Sequence, residues 1–221
     1  MPAASASAPT ANREDPGSRD RILEAALGCF SERGFDGATT REIARRAGVN
    51  LGLIAYYFEG KERLWREAVE RAFGDLRDGL ADALREAGGF DDRERLRLLV
   101  RRYVRWVARH PEFVRLMHDE GKCDSPRMRW LAEQHVRPIF DTTVTALRAG
   151  QEQGFLPAGI DPVHFHYILL GAVGLVFHQA PECRRLTGHE PTNDAFVEAH
   201  ADAVTHLFLG PPAAPTEESR S

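Results

Sequence analysis

Between Thr39 and Lys61 the sequence allows little except two short helices folded against each other. Thr39-Thr40-Arg41-Glu42 matches the T-x-x-E capping box, in which a threonine hydroxyl takes up a free backbone N–H at a helix start. The spacing predicts a helix from Thr40 to Ala47, because Gly48 tolerates the left-handed backbone that ends helices. Asn50, a good cap, then opens a second helix reaching to Tyr57. Two short helices joined through a glycine-bearing turn form the helix-turn-helix pattern. Here Ile43, Ala44, Ala47, Val49 and Ile54 can interlock with Leu23, Leu27 and Phe30 of the preceding segment. The N-terminal turn and one face of the second helix are left for a DNA major groove.

Helical periodicity fills the rest of the chain, and no alternating Val/Ile/Thr run bounded by turns predicts a strand. Arg19 to Arg33 has one apolar face, with Ser18 as N-cap and Gly34 as stop. A long helix from Lys61 to Ala87 carries the stripe Leu64, Ala68, Phe73, Leu76, Leu80 and Leu84, and Gly88-Gly89 breaks it. Further helices are predicted over Asp92–Arg109, Glu112–Glu120 and Ser125–Gln153, the last kinked at Pro138. Asp161-Pro162 starts another, apolar on most sides and reaching Gln179, and Asn193–Leu209 closes the set. The expected fold is all-α, with about nine helices. A three-helix helix-turn-helix domain spans 18–63 and a helical ligand-binding and dimerisation domain spans 64–209. The polar tails 1–17 and 210–221 are expected to be disordered.

Charge narrows the function classes. The net charge of −4 over 221 residues argues against an architectural protein that coats DNA without regard to sequence. Residues 39–66 run the other way: Arg41, Arg45, Arg46, Lys61, Arg63 and Arg66 against Glu42, Glu59 and Glu62 leave net +3. Only that segment invites phosphate. The longest apolar run, Tyr167 to Phe177, is shorter than the ~18 residues a membrane span needs. Met1 to Gly17 lacks a basic start followed by an apolar segment, so a cytoplasmic protein with no membrane partner is expected. Cys29, Cys123 and Cys183 form no metal-like spacing, and Cys29 is placed in the core. His164 and His166 point to different sides of a helix, and His200 and His206 are poorly spaced for one ion, so no metal and no cofactor are expected.

The string ILEAALGCFSERGFDGATTREIARRAGVNLGLIAYYFEGKERL resembles the N-terminal DNA-binding domain of the TetR family of bacterial regulators. Its marks are Phe30, Gly34-Phe35, Thr39-Thr40, Ile43-Ala44, Ala47-Gly48-Val49, Tyr57-Phe58 and Lys61-Glu62. The resemblance implies that Thr39 and Thr40 meet phosphate, which suits hydroxyls and free N–H groups at a helix N-terminus. Arg41 becomes the candidate for a bidentate guanine contact, with Glu42 as a competing partner. Asn50, Leu51, Gly52 and Ala55 form the groove-facing surface, and Tyr56 and Lys61 touch phosphates. Arg45 and Arg46 are read either as phosphate contacts or as a solvated face, and Tyr57 and Phe58 as core. The chain departs from the family at Ala55, where tyrosine is common, and at Leu51, where a polar residue is common. That makes the reading face apolar and better suited to thymine methyls.

The segments HPEFVRLMHDE and GFLPAGIDPVHFHYILLGAVGLVFH resemble the regulatory domain of some members, the pyrimidine-utilisation regulator subgroup among them. The resemblance implies a homodimer on a palindromic double-stranded DNA operator, released by a small-molecule effector. Candidate pocket residues are Trp106, Met117, His118, Trp130, His135, Phe140, Tyr167 and Phe177, which mix apolar walls with a few polar groups. The candidate dimer surface combines Gly171 and Gly174 with Phe196, Val204, Leu207 and Phe208. The competing class is an all-α small-molecule carrier or enzyme. Against it stands the lack of HExxH, a phosphate loop or a nucleophile elbow.

Overall fold

The computed structural model describes residues 17–211, and the expectation of disordered tails falls mostly outside them. The described residues are all-helical. Helix α1 (Ser18–Gly37) buries Ile22, Leu23, Ala26, Leu27, Cys29 and Phe30. Its cap is Gly17 rather than Ser18; the Ser18 hydroxyl accepts from the Arg21 guanidinium at 3.0 Å. Gly34 breaks the helix where the sequence placed the stop, at φ 67 and ψ 173.

Helices α2 (Thr40–Ala47) and α3 (Leu51–Phe58) follow, and both start on their expected caps. The Thr39 hydroxyl accepts from the Glu42 backbone N–H at 3.2 Å, and the Asn50 side chain accepts from that of Gly52 at 2.8 Å. The turn between them rests on Gly48, left-handed at φ 65 and ψ 35, with its N–H turned back to Ala44 and Arg45 carbonyls.

Helix α4 (Lys61–Glu86) buries Leu64, Trp65, Ala68, Val69, Ala72, Phe73, Leu76 and Ala83. Leu84 does not belong to that stripe. It is exposed, because the buried face passes through Ala83 on the neighbouring side of the helix. Helix α5 (Asp92–Arg109) is capped by Asp91, and α6 (Pro111–Glu120) starts with proline in its first turn. The predicted long helix is α7 (Pro126–Leu131), a π-helical turn Ala132–Val136, and α8 (Arg137–Glu152). Pro138, which has no N–H for the carbonyl one turn back, stands directly after that widened turn. Helix α9 (Pro162–His178) is capped by Asp161, and α11 (Asp194–Leu209) by Asn193. Between them lies α10 (Ala180–Thr187), which periodicity did not announce; it buries no residue.

The first hydrophobic core does not stop at residue 63. It joins α1–α3 to Trp65, Ala68, Val69 and Phe73 of α4, to Phe113 and Leu116 of α6, and to Leu131 of α7. A second core holds Val100, Val104 and Val107 of α5 against Leu169, Val173 and Phe177 of α9 and Val197, Ala201 and Val204 of α11. Helix α4 thus carries the helix-turn-helix at one end and packs on α5 along its length.

Candidate nucleic-acid interface

The residues at the starts of α2 and α3 lie on the outside of the helix-turn-helix. Ile43, Ala44 and Ala47 of α2 and Ile54 and Phe58 of α3 are buried against α1, so the opposite faces of both short helices point outward. Thr39, Arg41, Asn50, Leu51, Gly52, Ala55 and Tyr56 are all exposed, and Thr40 and Lys61 are half-buried. Leu51 is 43% exposed and Tyr56 67%, far beyond what core-packed side chains of that size show. Phe58 is fully buried and Tyr57 half-buried against the same core.

Electrostatics separate the arginines. Glu42 accepts from Arg45 at 2.7 and 2.9 Å and from Arg46 at 3.1 Å, with Arg33 at 3.8 Å. The bonds from the Arg45 and Arg46 guanidinium groups hold its carboxyl down to about 2. Arg46 also grips Glu32 through two bonds of 2.5 and 2.8 Å. Arg41 has no hydrogen bond or ion pair among the described residues. Its competing partner is occupied, and its fork stays available at the surface.

Lys61 is less free. Its ammonium donates to the Asp36 carbonyl at 3.2 Å and lies 4.6 Å from the Phe35 ring centre. One of its three N–H donors is used, which leaves two for a phosphate. On the same Phe35 ring lies the Arg127 guanidinium at 4.3 Å, itself bonded to Glu120 at 2.9 Å. Phe35 is therefore a joint where α1, α4 and α7 meet. Neither Asp36 nor Arg127 was singled out from sequence, because a cation–ring contact between distant segments has no local signature.

Of the eight candidate pocket residues, Trp106, Met117, Trp130 and His135 share the first core and the other four lie elsewhere. Trp130 and His135 meet edge to face at 4.9 Å, His135 stacks on Phe73 at 4.7 Å, and Phe113 links Phe73 to Trp106. Met117 packs against that same core. His118 is exposed and stacks on His178 at 4.4 Å, while Phe140 meets His166 at 4.9 Å. Tyr167 is 64% exposed on α9, and Phe177 is buried in the second core. Of the dimer candidates, Gly171 and Leu207 are exposed and Phe196 is half-buried. Gly174 and Val204 are buried within the protomer and Phe208 packs on its interior, so those three do not form an outer surface.

Among the described residues, one cleft of about 240 Å³ lies between α4 and α5, and another of about 430 Å³ lies between α9 and α10. Cys29 is buried, which pushes its thiol up, whereas Cys123 is exposed and Cys183 half-buried. Among the described residues no group of His, Cys, Asp and Glu is spaced to hold a metal ion. No single described helix is long and apolar enough to cross a membrane.

Residues 22–68 match the family model of bacterial regulatory proteins of the tetR family. Residues 93–207 match the tetracyclin repressor-like C-terminal domain. The chain is 31% identical over 155 residues to the HTH-type transcriptional repressor NicS of Pseudomonas putida, covering 68% of this chain and 71% of the relative. It is 27% identical over 188 residues to RutR of Escherichia coli, the pyrimidine-utilisation regulator, covering 85% and 87%. The fold is similar to that of FadR from Bacillus subtilis solved with stearoyl-CoA, at TM-score 0.65 and 18% identity, over 86% of this chain and 98% of that one. With a helix-turn-helix whose outer face is free and both family models matched in order, the chain belongs to the TetR family: it is a DNA-binding transcriptional regulator, not an enzyme.

Proposed function

We propose that this regulator is a cytoplasmic repressor that binds a palindromic operator as a homodimer and leaves it when a small molecule enters the helical body. The observation that carries the DNA half is the exposed, unpaired Arg41 in the first turn of α2, beside the apolar face of Leu51 and Ala55. Arg41 reads a guanine, Thr39, Thr40, Tyr56 and Lys61 hold phosphates, and Leu51 and Ala55 lie against thymine methyls. Relatives that include a named repressor support the same direction.

Dimerisation is supported by apolar side chains left outside both cores. Ile168 and Leu175 on α9 are 53% and 50% exposed on the side of Gly171, and Leu207 on α11 is 74% exposed. Pairing these faces sets two copies of α3 about 34–36 Å apart, one DNA turn. Release follows if a ligand moves α4, since α4 starts directly after α3 and meets α1 and α7 at the Phe35 joint. The effector then acts by favouring a spacing that does not fit the operator.

Selection of random DNA on the purified protein tests the reading. A palindrome with half-sites one turn apart is expected, and no enriched sequence at any salt concentration removes the operator claim. In the same preparation, sedimentation should give a dimer. The double variant L175E/L207E should sediment as a folded monomer that no longer selects the full palindrome.

A further inference from the structure

The cleft between α4 and α5 is chemically unlike the rest of an acidic chain. Leu76 and Leu80 of α4 form its apolar side, and Arg102, Arg105, Trp106 and Arg109 of α5 face them. The spacing 102, 105, 109 puts the three arginines on one helix face. No described carboxylate lines the cleft. The acids nearby are already shared: Glu86 accepts from Arg102 at 2.5 Å, and Glu198 accepts from Arg105 at 2.5 and 2.7 Å and also from Arg101 at 2.8 Å. Arg101 additionally pairs with Asp202. Arg109 has no hydrogen bond or ion pair among the described residues. Four guanidinium groups therefore stand against three carboxylates.

Two donors in the same wall lack acceptors. The Arg102 Nε and the Trp106 Nε1 are both buried with no hydrogen-bond partner. Buried donors of this kind are paired in nearly all folded proteins, and these two belong to residues one helical turn apart that both line the cleft. Trp106 itself is held firmly. It stacks on His110 at 4.3 Å, whose Nδ1 donates to the Trp106 carbonyl at 2.8 Å, and Phe113 meets its edge at 5.0 Å. A guanidinium fork with surplus charge and free N–H groups fits a planar anion, and the apolar side fits a hydrocarbon body.

We propose that this cleft binds a small organic carboxylate. Its carboxylate sits on Arg102 and Arg109, and its apolar or aromatic body lies between Leu76, Leu80 and Trp106. The volume of about 240 Å³ suits a molecule of roughly eight non-hydrogen atoms, at the ~30 Å³ a water takes in the liquid. The inference deepens the ligand-responsive reading above and rests on it for the consequence: a body wedged between α4 and α5 displaces the helix that carries α3.

The test titrates the full chain with hexanoate, benzoate and phenylacetate, each against its primary amide, following tryptophan fluorescence and heat. Saturable binding of at least one carboxylate is expected, with its amide at least about tenfold weaker, and W106F should lose the fluorescence change. R102Q should weaken binding about tenfold. R109Q, which removes an exposed side chain without protein partners, should do so with an unchanged melting temperature. Binding by none of the three acids overturns the proposal, as does equal binding of acid and amide, or wild-type affinity in both variants. Operator gel shifts with and without the bound acid separate this from the broader reading. An acid that binds through Arg109 yet leaves the operator complex intact keeps the cleft and removes ligand release. A neutral compound that releases DNA equally from wild type, R102Q and R109Q, with no acid binding, does the reverse.

Discussion

Around Glu42 the three arginines Arg33, Arg45 and Arg46 compete for one carboxylate, and Arg41, its immediate neighbour, takes no share. The reason is directional. A residue at i+3 or i+4 lies above Glu42 on the same helix face, whereas i−1 points about a quarter-turn away. The i, i+3 and i, i+4 spacings were readable in the sequence; the two additional bonds from Arg46 to Glu32 of α1 were not, since they depend on how α2 crosses α1. Arg41→Ala should therefore cost specific operator binding about 1–3 kcal/mol, the worth of a bidentate guanine pair. Because no intramolecular bond is lost, the unfolding free energy should stay within about 0.5 kcal/mol of wild type. A footprint and affinity equal to wild type would take Arg41 out of the reading set. Lys61 shows the opposite case: its bond to the Asp36 carbonyl and its seat on Phe35 make it a structural tie as well as a candidate phosphate contact.

At the scale of elements, caps and stops were the legible part. Thr39, Asn50, Asp161 and Asn193 cap helices as expected, because an Asx or Thr oxygen satisfies a free N–H using only neighbouring residues. Gly48 is the turn's pivot at φ 65. Space is open around it, so a substitution there meets backbone strain rather than a clash. Gly48→Ala should destabilise by about 1 kcal/mol, read from urea unfolding, and weaken operator binding because α3 loses its fixed angle to α2. An unchanged midpoint would show that the turn relaxes without penalty. Two elements were not legible. Helix α10 buries nothing, so it has no apolar stripe for periodicity to find. The π-helical turn before Pro138 inserts a residue into an otherwise α-helical run, and it brings His135 into the core between Phe73 and Trp130.

For the whole molecule, two buried histidines and one half-buried one set a pH dependence. Burial pushes His135, His166 and His178 below their ordinary value, with Arg77 adding to His135 and His118 to His178. The folded chain keeps these imidazoles neutral, while the unfolded chain takes up protons near about 6.5. Their contribution is therefore complete above about 6.5 and lost as pH falls through the lower folded values. The urea midpoint should fall between pH 7 and pH 5, and His166→Gln should flatten part of that slope; a midpoint constant over this range would contradict it. The sequence by itself determined an all-helical chain with a helix-turn-helix near its start, since caps, stops and the helical period act between residues a few positions apart. Only the tertiary structure decided that Val204 and Gly174 face inward, that the aromatic pocket candidates divide among several packing sites, and that Arg102, Arg105 and Arg109 line a cleft. Periodicity states that a side chain lies on a face. Which helix covers that face, and which acid reaches a given arginine, is set by crossing angles between segments far apart in the chain.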